Sequence, residues 1–286
     1  PCEYTNRNFV DLWHGIPLKR IGVSSLDVGG IKIDEIIAHN KPNKCVISSS
    51  KIDRLAMTAG FYPLTYKQVP ITGLPRIDLI GMEESMLPID LQDELNKLRN
   101  ALAGRKLVLY APTFRNAQAE AYYDFSKPEL ANYKQLLCSN NAVLGVREHM
   151  ADSGKGYNDI LSNVDCLNLS SDNYPNIEML YRLADVLITD YSSCYIDYLS
   201  TRKPVISFAY DLESYMESER GLYYDIYDVF PGAICTDFDS MLVSLFDALN
   251  TGVKDVEKYE RVRHMFFDFD DQLNSQRVAE LVYNLG

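Results

Sequence analysis

Four short segments of this 286-residue chain place proton-transferring or anion-pairing side chains directly after apolar runs. The first is Trp13-His14-Gly15-Ile16-Pro17-Leu18-Lys19. Imidazole is the side chain best tuned for proton transfer near neutrality, so His14 is a candidate base. Gly15 lacks a Cβ and lets backbone approach a ligand closely. A structural or solvated histidine is the competing reading. The second segment is Tyr110-Ala111-Pro112-Thr113-Phe114-Arg115. Proline ends the run because it cannot donate to a strand ladder. Thr113 then caps the following element or touches a phosphate, and Arg115 pairs with phosphate or sits on a plain surface loop.

The third segment is Arg147-Glu148-His149. Alternate residues of an extended chain point the same way, which puts Arg147 and His149 on one side. The fourth runs from Ala184 through Asp190 to Ser192 and Ser193. An apolar strand, an aspartate and two serines opening a helix make an anion cradle, because the first helical N–H groups have no partner in the helix. A simple Ser or Asp N-cap is the alternative. Arg220, in Glu219-Arg220-Gly221, is one more phosphate candidate.

These segments need elements to hold them. FVDLW (9–13), KCVIS (44–48), KLVLYAP (106–112), AVLGV (142–146), DVLIT (185–189) and PVISF (204–208) read as strands. Most are apolar throughout, as a parallel sheet covered on both faces demands. Between them, Leu87–Leu102, Ile177–Ala184, Cys194–Ser200 and Phe238–Leu249 carry helical spacing, with Gly104 as a C-cap for the first, and a last helix spans about Leu273 to Leu285. The alternation predicts an α/β doubly wound fold, whose ligands sit outside the carboxyl ends of the strands. A boundary is expected within residues 76–95. That gives a partial first domain over 1–90 and a complete second one over 91–286, whose final helix crosses back.

A net charge of −12 and a pI near 4.8 disfavour a nucleic-acid binder or broad attachment to anionic lipid, both of which need a basic surface. Six scattered cysteines show no paired spacing, so neither a zinc site nor a disulfide framework is indicated. Asp268-Phe269-Asp270-Asp271 fits no calcium loop and reads as a solvated acidic turn. No run of 18 apolar residues occurs.

Taken in order, WHGIPLKRIG, GLPRID, LYAPTFRN, REH, LADVLITDYSSCYIDYL and KPVISFAYDLESYMESERGLYYD resemble the CDP-glycerol glycerophosphotransferases that build teichoic acids and related capsules. The closing FFDFDDQLNSQRVAELV resembles that family's last segment. The likeness covers nearly the whole chain and is most specific in the DVLITDYSS block with YDLE and RGLYYD behind it. It implies a glycosyltransferase-B (GT-B-like) architecture of twin Rossmann domains facing a cleft. The C-terminal domain is expected complete and the first truncated at its N-terminus, since only twelve residues precede Trp13.

The resemblance further implies a CDP-glycerol or CDP-ribitol donor and a lipid-linked or polymer acceptor. The expected setting is the cytoplasmic side of a bacterial membrane, with peripheral contact through a segment absent here. Neither a cofactor nor a metal is expected. Carried over by position, His14 matches the family's general base and His149 the second histidine, which would stabilise or protonate a phosphate oxygen. Ser192 and Ser193 match the pyrophosphate cradle and Arg220 an arginine near the phosphates. Thr113 and Arg115 fall near the nucleotide, and Arg147 and Asp190 complete the donor set. Phosphoryl transfer needs in-line placement and charge neutralisation more than covalent help, which suits such groups. The competing readings are a glycosyltransferase or capsule polymerase using another nucleotide sugar, a truncated nucleotide-binding module without catalysis, and a sugar-nucleotide epimerase.

Overall fold

Among the described residues every strand pair is parallel, and helices alternate with the strands along the chain. The computed structural model describes residues 9–25, 33–113, 122–148, 156–213 and 221–285. The first elements are β1 (Phe9–Asp11), α1 (Ile33–Asn40), β2 (Asn43–Val46), α2 (Lys51–Gly60), α3 (Pro75–Gly81) and α4 (Ile89–Leu102). Then come β3 (Lys106–Tyr110), α5 (Lys127–Ser139), β4 (Ala142–Val146), α6 (Tyr157–Ile160), β5 (Cys166–Asn168) and α7 (Ile177–Leu183). The chain continues through β6 (Ala184–Thr189), α8 (Cys194–Tyr198), β7 (Val205–Phe208), α9 (Ile226–Val229) and β8 (Ala233–Cys235). It closes with α10 (Phe238–Thr251), α11 (Val256–Phe266) and α12 (Asn274–Leu285).

Six strands form one sheet in the order β5-β4-β3-β6-β7-β8. This is the Rossmann arrangement, in which the chain winds outward from the centre in both directions. Its reversal point lies between β3 and β6, whose register pairs Val108 with Val186 and Tyr110 with Ile188. The crevice at that point is bounded by the loops after Tyr110 and Thr189.

Successive side chains of a strand point to opposite faces, and here both faces are covered. Leu107, Leu109, Val143 and Leu187 pack on one side with Leu180, Tyr195 and Ile196. Val108, Tyr110, Leu144 and Val186 pack on the other with Tyr133, Leu137, Phe238 and Leu245. This double burial is the reason the strands are apolar throughout. α4 ends at Ala103, which adopts the left-handed conformation (φ 51°) just before Gly104 (φ 80°).

The first part of the chain builds a smaller unit in which β1 pairs with β2, Val10 opposite Cys45 and Asp11 opposite Val46. Val46, Met57, Phe61, Leu64 and Val69 form its local core, with Trp13 packed against it. The unit does not stand apart from the large sheet. Ile16, Leu18, Ile47, Leu74 and Ile80 belong to the same apolar cluster as Leu107, Leu187 and Tyr195.

The last helix is fastened to this first part. The Asp78 carboxylate on α3 accepts the N–H groups of Asn274 (3.1 Å) and Ser275 (2.7 Å), two donors that α12 itself cannot satisfy. The Arg277 guanidinium donates to the Thr72 carbonyl at 2.8 Å. Gly73 has φ +72°, and a Cβ there would lie 1.8 Å from Asn274 Oδ1, so only glycine permits this crossing. Among the described residues, no helix is long and apolar enough to cross a membrane.

Candidate functional site

The site is built from two loops that the fold presses together. The first follows β1. Asp11 Oδ1 accepts the Trp13 N–H at 2.8 Å, a side-chain-to-backbone bond that turns the chain two residues on. Trp13 takes φ +50°, and its ring meets the edge of Phe61 with centroids 4.9 Å apart. His14 follows with its ring centroid 4.0 Å from that of Trp13 and a side chain that is partly covered and partly open to solvent. Ile16, Pro17 and Leu18 then bury and anchor the loop. Beyond them Lys19 bridges Leu222, Arg20 N–H donates to Gly221 O at 2.9 Å, and Tyr223 N–H donates to Leu18 O at 3.0 Å.

The second loop follows β6. Asp190 is buried and accepts from the Thr113 N–H (2.9 Å), the Thr113 hydroxyl (2.5 Å) and the Tyr191 N–H (2.6 Å). It thereby ties the ends of β3 and β6 together at the sheet's reversal point. The Ser207 hydroxyl donates to the Asp190 carbonyl at 3.1 Å. The turn after it carries Ser192, whose Oγ accepts the Cys194 N–H at 3.4 Å. Ser193 makes no side-chain cap bond.

These two loops meet. A Cβ built on Gly15 would lie 3.6 Å from Ser193 Oγ, so the loop that exposes His14 rests on the turn opened by the serines. α3 is joined to α8 close by: Arg76 Nε donates to Asp197 Oδ2 at 2.7 Å and Nη2 to Oδ1 at 3.0 Å. Sequence reading gave neither residue a role, although Arg76 lies in the GLPRID segment. The available signal was an arginine at the start of a helix after a glycine turn. Its partner lies 121 residues away.

Electrostatics follow from this packing. Partial burial, and then the Arg76 charge, hold the His14 imidazole below its ordinary pKa, while Asp11 pulls the other way. That direction favours the neutral ring, the form able to accept a proton. Burial pushes the Asp53 carboxyl up to about 7, against the bond from the Ser49 N–H and the charge of Arg76. Asp53 Oδ1, Ser49 Oγ and the Tyr224 hydroxyl are buried without a hydrogen-bond partner.

Three candidate residues are placed differently from the sequence reading. Arg147 donates to the carbonyls of Leu169 (2.9 Å), Tyr174 and Pro175 (3.4 Å), so its guanidinium braces the loop between β5 and α7. Asp190 and Thr113 bond to each other and tie the rim together, Thr113 supplying donors that the buried Asp190 carboxylate requires. His149, Arg115 and Arg220 lie outside the described residues. The acidic turn is ion-paired rather than merely solvated: Asp271 with Arg277 at 2.8 Å, and Asp270 with Arg202 and Arg263. Among the described residues, no group of three or more His, Cys, Asp or Glu side chains is arranged to hold a metal ion.

The chain is 29% identical to the teichoic acid ribitol-phosphate polymerase TarL of Staphylococcus aureus (strain NCTC 8325 / PS 47), over 99% of this chain and 50% of that protein. It is also 29% identical to the teichoic acid poly(ribitol-phosphate) polymerase of Bacillus spizizenii (strain ATCC 23059 / NRRL B-14472 / W23), over 97% of this chain and 43% of that one. The chain thus spans about half the length of the curated relatives it matches. The structure of the wall teichoic acid polymerase TagF superposes with a TM-score of 0.79 at 23% identity, covering 98% of this chain and 68% of TagF, which establishes a shared fold. Residues 3–284 match the family described as CDP-Glycerol:Poly(glycerophosphate) glycerophosphotransferase, and the chain belongs to that family.

Proposed function

We propose that this chain is the donor-binding and catalytic core of a polyol-phosphate transferase, moving glycerol phosphate or ribitol phosphate from a CDP-polyol to a hydroxyl of a growing polymer. The observation that carries this reading is the close approach of Gly15 to Ser193, whose Oγ lies 3.6 Å from where a Cβ on Gly15 would stand, so that the His14 loop lies beside the serine turn at the sheet's reversal point. Family membership supplies the donor class, and the matched relatives are polyol-phosphate polymerases.

In this mechanism neutral His14 accepts the proton of the acceptor hydroxyl as its oxygen attacks the β-phosphorus. The new P–O bond forms while the bond from the β-phosphorus to the bridging oxygen breaks, and CMP departs with that electron pair. The Ser193 hydroxyl and the backbone amides of the serine turn meet the phosphate charge, a role for preorganised donors aimed at developing charge. His149 and Arg220 are assigned to the phosphates by the family resemblance. The reaction belongs at the cytoplasmic face of a bacterial membrane, where a CDP donor and a lipid-linked acceptor meet.

The test is His14→Ala in the 286-residue chain. CDP-glycerol affinity, by calorimetry, should change little, while CMP release should fall by roughly two to four orders of magnitude, the range for a lost general base. Near-normal CMP release would sink the role of His14. Tighter binding of UDP-sugars than of CDP-glycerol and CDP-ribitol would move the donor to another nucleotide sugar.

A further inference from the structure

We propose that Arg76 is a positioning residue for the transfer, clasping α3 to α8 so that the His14 loop and the Ser192–Ser193 turn keep one fixed separation. The proposal rests on the reading of His14 as the base and adds the device that holds it in place.

Three observations carry it. The Arg76–Asp197 contact is two-pronged, at 2.7 and 3.0 Å, and a guanidinium fork on a carboxylate fixes orientation as well as distance. The side chains are only 18% and 12% exposed, so water competes poorly, and removing one partner leaves an uncompensated charge. The pair also spans the same seam as the approach of Gly15 to Ser193. Leu74 and Ile80, before and within α3, share one apolar cluster with Ile16 of the His14 loop and with Tyr195 and Ile196 of α8.

The same charge acts on the imidazole through space. His14 has Arg76 disfavouring its protonated form and Asp11 favouring it. Around Arg76 itself stand Asp197 on α8, Glu178 and Tyr181 on α7, and Asp53 on α2. Arg76 therefore has two separable properties, a fork and a charge. Lysine keeps the charge but cannot make the fork, and glutamine keeps neither.

The chain has four histidines, so the His14 titration can be followed by NMR and assigned with His14→Gln. In Arg76→Gln the imidazole should titrate at higher pH than in the parent. In Arg76→Lys it should titrate near the parent value. Both variants should lose roughly tenfold to hundredfold in kcat for CMP release, the penalty of a misplaced reacting group, with KM for CDP-glycerol nearly unchanged. Arg76→Gln/Asp197→Asn removes both charges together, so it guards against misfolding from an unpaired buried carboxylate. It should release CMP as slowly as Arg76→Gln. An unmoved His14 titration in Arg76→Gln, or parental kcat in Arg76→Lys, would overturn the clasp. So would a loss of thermal stability unaccompanied by either change. Normal turnover in His14→Gln would instead defeat the base reading, while kcat in Arg76→Lys still judges the clasp.

Discussion

Burial moves His14 and Asp53 in opposite directions on the pH scale, because it disfavours the charged form of each. For Asp53 the carboxyl rises to about 7 in the folded chain, above its ordinary 3.8. Between those values the folded state holds a proton that the unfolded state has released. The stabilising contribution is therefore complete below the unfolded value and lost as pH rises through about 7. Asp53→Asn mimics the protonated form and keeps an oxygen for the Ser49 N–H, which Asp53 accepts at 2.7 Å. It should raise thermal stability by up to about 4 kcal/mol at pH 8 but only by about 2 kcal/mol at pH 5, where the folded carboxyl is protonated and the unfolded one has released its proton. Thermal melts of both proteins at the two pH values check this. Equal melting differences at pH 5 and pH 8 would remove the titration from the account. His14 has the opposite sign. Its lowered folded pKa favours the neutral ring, so its contribution is present above the ordinary histidine value and lost as pH falls through the folded one.

How much of the site was legible also depends on residue-level physics. His14 and Ser193 stood out as candidates because each lies in the loop after an apolar strand, and strand ends are where this fold class places ligands. Asp190 and Thr113 were located by the same logic, but their mutual hydrogen bonds run between loops 77 residues apart and leave no local pattern. Arg147 was drawn by its cationic head to a phosphate role, whereas three carbonyls occupy it. Arg76 and Asp197 went unassigned because an ion pair between distant helices has no spacing to read.

At the scale of elements, legibility followed burial. The six strands recognised from sequence include β3, β4, β6 and β7, the interior of the large sheet, where both faces demand apolar residues. β5 and β8 were missed because they are edge strands of three residues that are largely half-exposed or exposed, so they carry no unbroken apolar run. α2 and α3 were missed because polar residues that the fold buries or half-buries, Asp53, Arg76 and Asp78, interrupt their apolar spacing. Asp78 acts at this scale. It stands in for a capping residue at the start of α12, although it lies 196 residues before Asn274. Asp78→Ala leaves the Asn274 and Ser275 N–H groups without their acceptor and should cost about 1–2 kcal/mol, the value of a lost cap. The loss should be local first. Hydrogen exchange should accelerate across α12 while the strand amides of β3 and β6 stay protected. Unaltered protection of α12 would mean that the Arg277 contacts with Thr72 and Asp271 alone retain the helix.

At the scale of the whole molecule, the decisive feature is one apolar cluster running from the β1–β2 unit into the face of the six-stranded sheet. Leu74 is 3% exposed and Ile47 fully buried, and both sit in the cluster that holds Leu187, Tyr195 and Phe266. Where two units share little buried surface they unfold separately, and a two-state description fails. Here the seam contains core side chains, the Arg76–Asp197 pair and the Asp78 cap of α12, so separation would expose apolar area and strand a buried charge together. The chain should accordingly melt in one calorimetric transition whose van't Hoff and measured enthalpies agree. Leu74→Ala, which empties part of the seam, should lower stability by about 2–5 kcal/mol, the cost of a buried leucine cavity. It should do so without splitting the transition, because the remaining contacts still couple both units. Two resolved transitions in the parent chain would show that the β1–β2 unit melts alone. The seam would then be a docking contact, and the approach of Gly15 to Ser193 would report one of several arrangements of the site.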